Sequence, residues 1–185
     1  SVIDGLEADV ARIVAIGHEH RVRTVRVAQD EAERALLWKG RKSAFGAIAR
    51  IKPNYYLHDT VVPRSKLPQV LAQVYEIAAR HDLLVLNVFH AGDGNLHPLI
   101  LFDANDPDQL HRCELFGADI LETSVRLGGT VTGEHGVGVE KLASMCVQFA
   151  PAEREQMLAL KRAFDPKGLL NPGKVFPQLR RCAEL

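Results

Sequence analysis

The segment "NVFHAGDGNLHPLILFD", residues 87–103, decides how the middle of the chain folds, because two apolar runs flank a short glycine-rich stretch. Each run has the length and composition of a β-strand. Asp93-Gly94 between them favours a tight turn, since glycine tolerates a positive φ. The segment therefore predicts an antiparallel hairpin, with His90 at the end of its first strand and His97 at the start of its second.

Helical and extended patterns alternate on both sides of this hairpin. "NYYLHDTVV", residues 54–62, predicts a strand, and a clean apolar stripe after Ser65 predicts a helix that this serine caps. A second helix is predicted from Asp106 to Leu127, and "TVTGE", residues 130–134, is extended again. The order β-α-β-β-α-β predicts an α+β, ferredoxin-like fold, in which helices pack on one face of an antiparallel sheet.

Further helices are predicted at both ends of the chain. The N-terminal segment repeats apolar residues at helical spacing, and a short strand is expected over residues 21–27. Asp30 and Glu33 have the spacing of a capping box that starts another helix. The last helix is predicted from Pro151 to Phe164, where Asp-Pro ends it.

Composition excludes several classes of protein. Lys plus Arg and Asp plus Glu both number 23, so no net charge would attract nucleic acid or an acidic membrane. No apolar run approaches the ~20 residues of a membrane span, and no signal peptide is visible. Three widely spaced cysteines argue against a disulfide framework or a thiolate metal site, which favours the cytoplasm.

The organisation of the chain predicts a single domain over residues 1–185, because no internal repeat, low-complexity segment or long linker interrupts it. Its first residues already have a helical pattern. We therefore expect the chain to be a fragment of a longer protein.

The two hairpin histidines are candidate metal ligands. If the strands pair, His90 and His97 are cross-strand neighbours with Cβ atoms about 4.5–5.5 Å apart, a distance at which two imidazoles can share one metal ion. Alternatively, both rings form hydrogen bonds with carbonyls or with Asp93. The hairpin by itself leaves both interpretations open.

A third ligand is offered by "GGTVTGEHGVGVEK", residues 128–141, where Glu134 and His135 stand between glycines. Glu134 reaches the histidines only if the last strand begins near Val131. Adjacent residues of an extended segment point to opposite faces, so Glu134 and His135 should have different roles. The glycine spacing lacks the Lys-Ser/Thr of a P-loop and the third glycine of G-x-G-x-x-G, which excludes a phosphate loop.

Three motifs in this order resemble the C-terminal domain of the FAD-linked oxidases, the 2-hydroxyacid dehydrogenases of the vanillyl-alcohol-oxidase superfamily. They are "FHAGDGNLHP" at 89–98, the glycine-rich string at 128–141, and "FDPKGLLNPGKVFP" at 164–177. Residues 37–68 are similar in particular to the glycolate-oxidising members. The resemblance covers nearly the whole chain.

The resemblance implies roles for individual residues and for cofactors. It implies FAD, bound mainly by an N-terminal domain outside this chain, and a divalent metal, with zinc first and iron or manganese as alternatives. It implies a small 2-hydroxyacid as substrate. The residues it assigns are His90, His97 and Glu134 as metal ligands, His135 as the active-site base, Arg41 as the ligand of the substrate carboxylate, and Asn171 beside the flavin ring.

The sequence also departs from the family at positions expected to line the substrate pocket. Phe45 stands where some relatives have threonine, Leu57 aligns with a lysine, and Leu99 replaces an asparagine. The resemblance therefore transfers the metal site better than the substrate pocket. Glycolate, D-lactate and D-2-hydroxyglutarate all stay open as substrates.

The expected partners are this protein's own FAD domain and other subunits of a glycolate oxidase type of complex, with no nucleic acid. A cytoplasmic location is expected. The alternative is peripheral attachment to the inner membrane through partner subunits. Two other functions stay open. One is a self-contained metal hydrolase that uses the same three ligands and an activated water, and the other is a non-catalytic docking module.

Overall fold

The computed structural model describes residues 2–176, and these divide into two compact units after Ile48. The first unit contains α1 (Val2–Glu19) and α2 (Glu31–Ile48). α2 begins where the capping residues predict, because the Glu33 backbone N–H donates to Asp30 Oδ1 at 2.7 Å. No helix in the described part of the chain is long and apolar enough to cross a membrane.

The strand predicted over residues 21–27 is wrong. Arg21 takes a positive φ of 60° and ends α1, and the following residues form neither helix nor strand. A strand is stable only when its backbone groups pair with a neighbour. No described segment pairs with residues 21–27, so the alternation of apolar and basic residues was not sufficient to form a strand there.

The second unit is built around a small sheet and contains the rest of the described residues. Its elements are β1 (Asn54–Leu57), β2 (Thr60–Val61), a 3₁₀ turn (Arg64–Lys66), α3 (Leu67–His81), β3 (Leu84–His90), β4 (Asn95–Phe102), α4 (Pro107–Arg126), α5 (Ser144–Gln148) and α6 (Pro151–Phe164). α4 starts at the predicted cap, where Asp106 accepts hydrogen bonds from the N–H groups of Asp108 and Gln109. Ser65 does not cap α3, because it lies inside the 3₁₀ turn.

β4 lies at the centre of the sheet and pairs antiparallel on both edges. β3 occupies one edge, and β1 and β2 follow one another along the other edge. The strand predicted over residues 54–62 is therefore interrupted at His58 and Asp59. The α+β class is confirmed by this architecture.

The complete ferredoxin-like arrangement is not confirmed. In place of the predicted last strand, the described residues form a single antiparallel bridge between Val61 and Thr130. Gly129 explains the close approach, because a Cβ there would lie 1.9 Å from the carbonyl oxygen of Val61. After the bridge the chain bends instead of continuing along the sheet.

Two apolar clusters hold the second unit together. In the larger one, α3 and α4 cover one face of the sheet and bury Ile100 and Phe116 completely. In the smaller one, Val131 and Val137 pack with Leu121 of α4. The second cluster anchors both ends of the segment that carries Glu134.

The cysteines only partly follow the expectation. Cys113 is free and buried in the larger cluster. Cys146 is disulfide-bonded, which the argument against a disulfide framework did not anticipate. Cys182 lies outside the described residues.

The turn between β3 and β4 is tighter than the sequence spacing indicated, because Asn95 and Leu96 already belong to β4. Gly94 has a φ of 74°, and its carbonyl oxygen accepts a hydrogen bond from the N–H of Val62. A Cβ at Gly94 would lie 2.1 Å from the backbone oxygen of Val62, whereas one at Gly92 would meet nothing within 4 Å.

We therefore expect Gly94→Ala to lower the free energy of unfolding by about 2–4 kcal/mol, because it adds backbone strain to a clash with a main-chain carbonyl. Urea denaturation followed by circular dichroism measures this loss. Gly92→Ala, in the same turn, is the control and should change stability by less than about 0.5 kcal/mol. Equal effects of the two substitutions would show that the turn tolerates a side chain at position 94.

Candidate metal centre

The hairpin places its two histidines on the same face of the sheet, but not directly opposite each other. His97 pairs with Val88, and His90 pairs with Asn95. The histidines are therefore diagonal neighbours, which corrects the expectation of a direct pair. The register shifted because the turn is shorter than predicted. Their ring centroids still lie 5.5 Å apart, with the planes nearly perpendicular.

Glu134 completes a cluster of three ligand groups. Its Oε1 atom lies 2.9 Å from His97 Nε2 and 3.7 Å from His90 Nε2. One ligand atom from each residue lies within 4.8 Å of the other two. His97 is buried in the sheet, whereas His90 and Glu134 are half exposed, so the cluster is reachable from solvent.

The spacing of these atoms suits a divalent metal ion. Nitrogen and oxygen ligands bind zinc at about 2.0–2.2 Å, which puts two ligands about 3–3.5 Å apart at ordinary coordination angles. The observed separations of 2.9 and 3.7 Å lie on either side of that range. Two imidazoles and a carboxylate are also a donor set that iron and manganese accept.

Asp59, which no sequence pattern singled out, organises the loop that carries Glu134. This carboxylate is 1% exposed and accepts hydrogen bonds from Thr132 Oγ1 at 2.7 Å and from three successive backbone N–H groups. These belong to Gly133 at 2.8 Å, Glu134 at 3.1 Å and His135 at 3.0 Å. The available indication was a carboxylate in the middle of a predicted strand, residues 54–62.

The charge of Asp59 is stabilised by its surroundings. Burial alone would raise the pKa of its carboxyl group, but the hydrogen bonds from Thr132 and the loop N–H groups outweigh burial and hold the pKa below its usual range. Lys141 is also buried; its Nζ donates to the Asp59 carbonyl at 2.5 Å and lies 3.7 Å from Oδ2. Burial lowers the pKa of Lys141.

A second possible ligand group, Asp59 with His97 and His135, also lies within 4.8 Å. The Asp59 oxygens already accept the loop N–H groups, and binding a metal would compete with those hydrogen bonds. Among the described residues, no backbone N–H donates to the Glu134 carboxylate, which faces both hairpin histidines. The set of His90, His97 and Glu134 is therefore the better ligand group.

His135 lies against the cluster. Its ring stacks on that of His97 with centroids 4.9 Å apart, and its Nε2 atom lies 3.7 Å from Glu134 Oε1. The expectation that Glu134 and His135 point to opposite faces is wrong, because residues 133–135 bend around the Asp59 carboxylate and are not extended. His135 remains half exposed, so it can contact a small molecule.

A cavity of about 300 Å³ opens beside His135. Its wall includes Leu57, Lys141 and Lys174 together with residues 136–140. The N–H of Val175 donates to the carbonyl of Gly138 at 2.8 Å, which ties the C-terminal turn to this wall. The cavity has room for a small organic acid.

Arg41 and Asn171 are the two predicted contact residues that do not belong to the proposed ligand set. Arg41 is exposed on α2, in the first unit. Asn171 is exposed in the turn after α6 and takes a positive φ of 48°. Their predicted contacts with substrate and flavin stay predictions.

His58 is buried and packs closely against α4 at Gly117. A Cβ added at Gly117 would lie only 2.1 Å from His58 Nε2. Within residues 2–176, neither of its ring nitrogens has a hydrogen-bond partner. Burial, aided by the charge of Lys141 and opposed by Asp59, lowers its pKa from 6.5 to about 3.

This shift predicts a pH dependence of stability. Between pH 6.5 and about 3 the unfolded state binds a proton that the folded state does not, so stability falls as the pH falls through this range. The slope due to His58 approaches about 1.4 kcal/mol per pH unit. Urea titrations at several pH values measure the slope of the free energy of unfolding against pH. His58→Leu should flatten this slope, whereas His111→Leu, on the exposed surface of α4, should not. An unchanged slope in His58→Leu would contradict the assignment.

The fold and the cluster define an α+β domain with a candidate metal centre, and comparison with known proteins shows its family. The model of the C-terminal domain of FAD-linked oxidases matches residues 3–175. The chain belongs to this family.

Individual relatives are consistent with the family. The chain is 52% identical to glycolate oxidase subunit GlcD of Escherichia coli K12 over 98% of its length, and 42% identical to that of Bacillus subtilis over 92%. It is 38% identical over 80% of its length to a probable mitochondrial D-lactate dehydrogenase of Danio rerio. It covers 37%, 36% and 30% of these relatives, respectively, so it spans about a third of their length.

Proposed function

We propose that this chain is the substrate-side domain of a flavin-dependent oxidoreductase that converts a small 2-hydroxyacid, of the glycolate or D-lactate type, to the 2-oxoacid. The observation that carries the proposal is the convergence of His90, His97 and Glu134, with His135 stacked against His97. The names of the relatives support the substrate class, because they include glycolate oxidase subunits and a D-lactate dehydrogenase.

In this proposal His90, His97 and Glu134 would hold a divalent metal, zinc in the first instance, to which a 2-hydroxyacid could bind through its hydroxyl and carboxylate. When bound, the metal would lower the pKa of the substrate hydroxyl, and FAD would accept the hydride from Cα. FAD would be held mainly by an N-terminal domain elsewhere in the protein, with Asn171 near the flavin ring.

The residues of this chain supply orientation and proton transfer. His135 lies beside the ligand cluster and accepts the hydroxyl proton at its imidazole, the side chain best suited to that role near pH 7. Arg41 is proposed to hold the free carboxylate, for which a guanidinium offers two parallel donors. Other subunits of a glycolate oxidase type of complex are proposed as partners.

A chimaera tests the proposal. This chain replaces the matching C-terminal part of the E. coli subunit, and reduction of an artificial dye is followed with glycolate or D-lactate as donor. We expect substrate-dependent reduction that a chelator abolishes and zinc, manganese or iron restores. Full activity after complete metal removal would contradict the metal-assisted reaction. Metal-dependent ester or amide hydrolysis by the chain alone would favour the hydrolase alternative.

A further inference from the structure

Asp59 accepts hydrogen bonds from outside the sheet, from the loop that carries Glu134 and His135. It lies at the interruption between β1 and β2, and its carboxylate accepts hydrogen bonds from the loop that contains both Glu134 and His135. We propose that Asp59 is a positioning residue that holds these two side chains beside His97 before any metal binds. The inference rests on the proposed metal site and adds a residue to it.

The hydrogen-bond pattern is the first argument. In an extended segment successive N–H groups point to alternate sides, but the N–H groups of residues 133, 134 and 135 all point to one carboxylate. This requires the bend that directs the Glu134 and His135 side chains together toward His97. An ionised carboxylate is the side chain that can accept this many donors, since each charge-assisted bond is stronger than a neutral one.

Burial of the charge is the second argument. A carboxylate that is 1% exposed is costly unless its charge is compensated. Lys141 provides the opposite charge 3.7 Å from Oδ2, and its Nζ also donates to the Asp59 backbone carbonyl. Lys141 therefore fixes the main chain and the side chain of Asp59 together, which makes Asp59 a rigid anchor for the loop.

The position of His97 is the third argument. Its Nε2 faces Glu134, while its Nδ1 has no hydrogen-bond partner among the described residues and lies 3.9 Å from Asp59 Oδ1. A metal ion held at Nε2 would leave the ring proton on Nδ1, on the side that faces the charge of Asp59. Carboxylates behind metal-binding histidines orient the ring and increase its basicity in this way.

The test uses Asp59→Asn, which keeps the volume but removes the charge and sets amide hydrogens against the loop N–H groups. Asp165→Asn is the matched control, since Asp165 is also buried, accepts two backbone N–H groups and pairs with a lysine, but lies at the end of α6. Thr132→Val, which removes one donor to Asp59, is the milder variant if Asp59→Asn fails to fold.

Two measurements are made on the metal-free 185-residue chain. Amide hydrogen exchange reports the protection of residues 133–135, and zinc titration reports affinity. We expect Asp59→Asn to lose protection at these amides and to bind zinc about 10–100-fold more weakly. Thr132→Val should show a smaller loss of both, and Asp165→Asn should match the wild type in both.

The outcomes separate this inference from the proposed function. Unchanged amide protection in Asp59→Asn, or in Thr132→Val if only that variant folds, would overturn the positioning role, and so would zinc affinity equal to that of the wild type. If the wild-type chain binds no zinc, manganese or iron, the proposed metal site fails, and the exchange data alone decide whether Asp59 holds the loop. A loss of protection equal to that of Asp165→Asn would indicate general destabilisation and would also overturn the role.

Discussion

His97→Ala will lower the zinc affinity of this chain by more than about 100-fold, a larger loss than outer-shell substitutions cause. His97 is the central ligand, because its Nε2 lies 2.9 Å from Glu134 Oε1 and its ring contacts both His90 and His135. It also projects from β4, the most buried strand of the sheet. Metal content after dialysis and a zinc titration measure the effect.

The control for this substitution is His81→Ala. His81 is also a partly buried histidine beside a carboxylate, with its Nε2 2.8 Å from Asp119 Oδ2 and its ring stacked on Phe116. It lies at the end of α3, outside the ligand cluster, so its loss should leave zinc affinity unchanged. His97→Gln covers the case in which alanine leaves a cavity that prevents folding. Wild-type affinity in both His97 variants would remove this residue from the metal site.

The second large effect concerns His135. In the chimaera, His135→Asn should lower kcat for 2-hydroxyacid oxidation by about 10²–10⁴-fold, the usual contribution of a general base. Metal binding should persist, because the ligands are other residues and the His135 contact with Asp59 uses the backbone N–H, which asparagine also has. Steady-state kinetics and metal analysis of the same preparation separate the two properties.

His111→Ala, an exposed histidine on α4, should leave kcat unchanged and serves as the control for histidine loss. If His135→Asn keeps kcat within a factor of about ten of the wild type, a different group accepts the proton. A parallel loss of metal would instead assign His135 to the ligand set, as the alternative group with Asp59 and His97 allows.

Local sequence patterns predicted most of the elements. Apolar spacing and caps located α1, α2, α4 and α6, and the hairpin was located by its Asp-Gly turn, in which Gly94 takes the expected positive φ. These features depend on interactions between residues close in sequence. The predicted strands at 21–27 and 130–134 were wrong because a strand depends on a partner that local patterns do not specify.

The candidate site shows the same division. The hairpin histidines could be found from a turn and two apolar runs, and Glu134 from its motif. Asp59 could not be placed, since its partners are more than 70 residues away in the chain. The resemblance to a family identified the candidate ligands, but it did not show what holds their loop.

The sequence by itself determined the α+β class, the hairpin and the residue types able to bind a metal, because hydrophobic periodicity and turn chemistry act over a few residues. Only the tertiary structure decided the diagonal register of His90 and His97, the bend at Glu134 and the burial of Asp59. Each of these depends on hydrogen bonds and packing between segments that are distant in the chain. Such interactions form only in the folded protein, so local sequence patterns do not specify them.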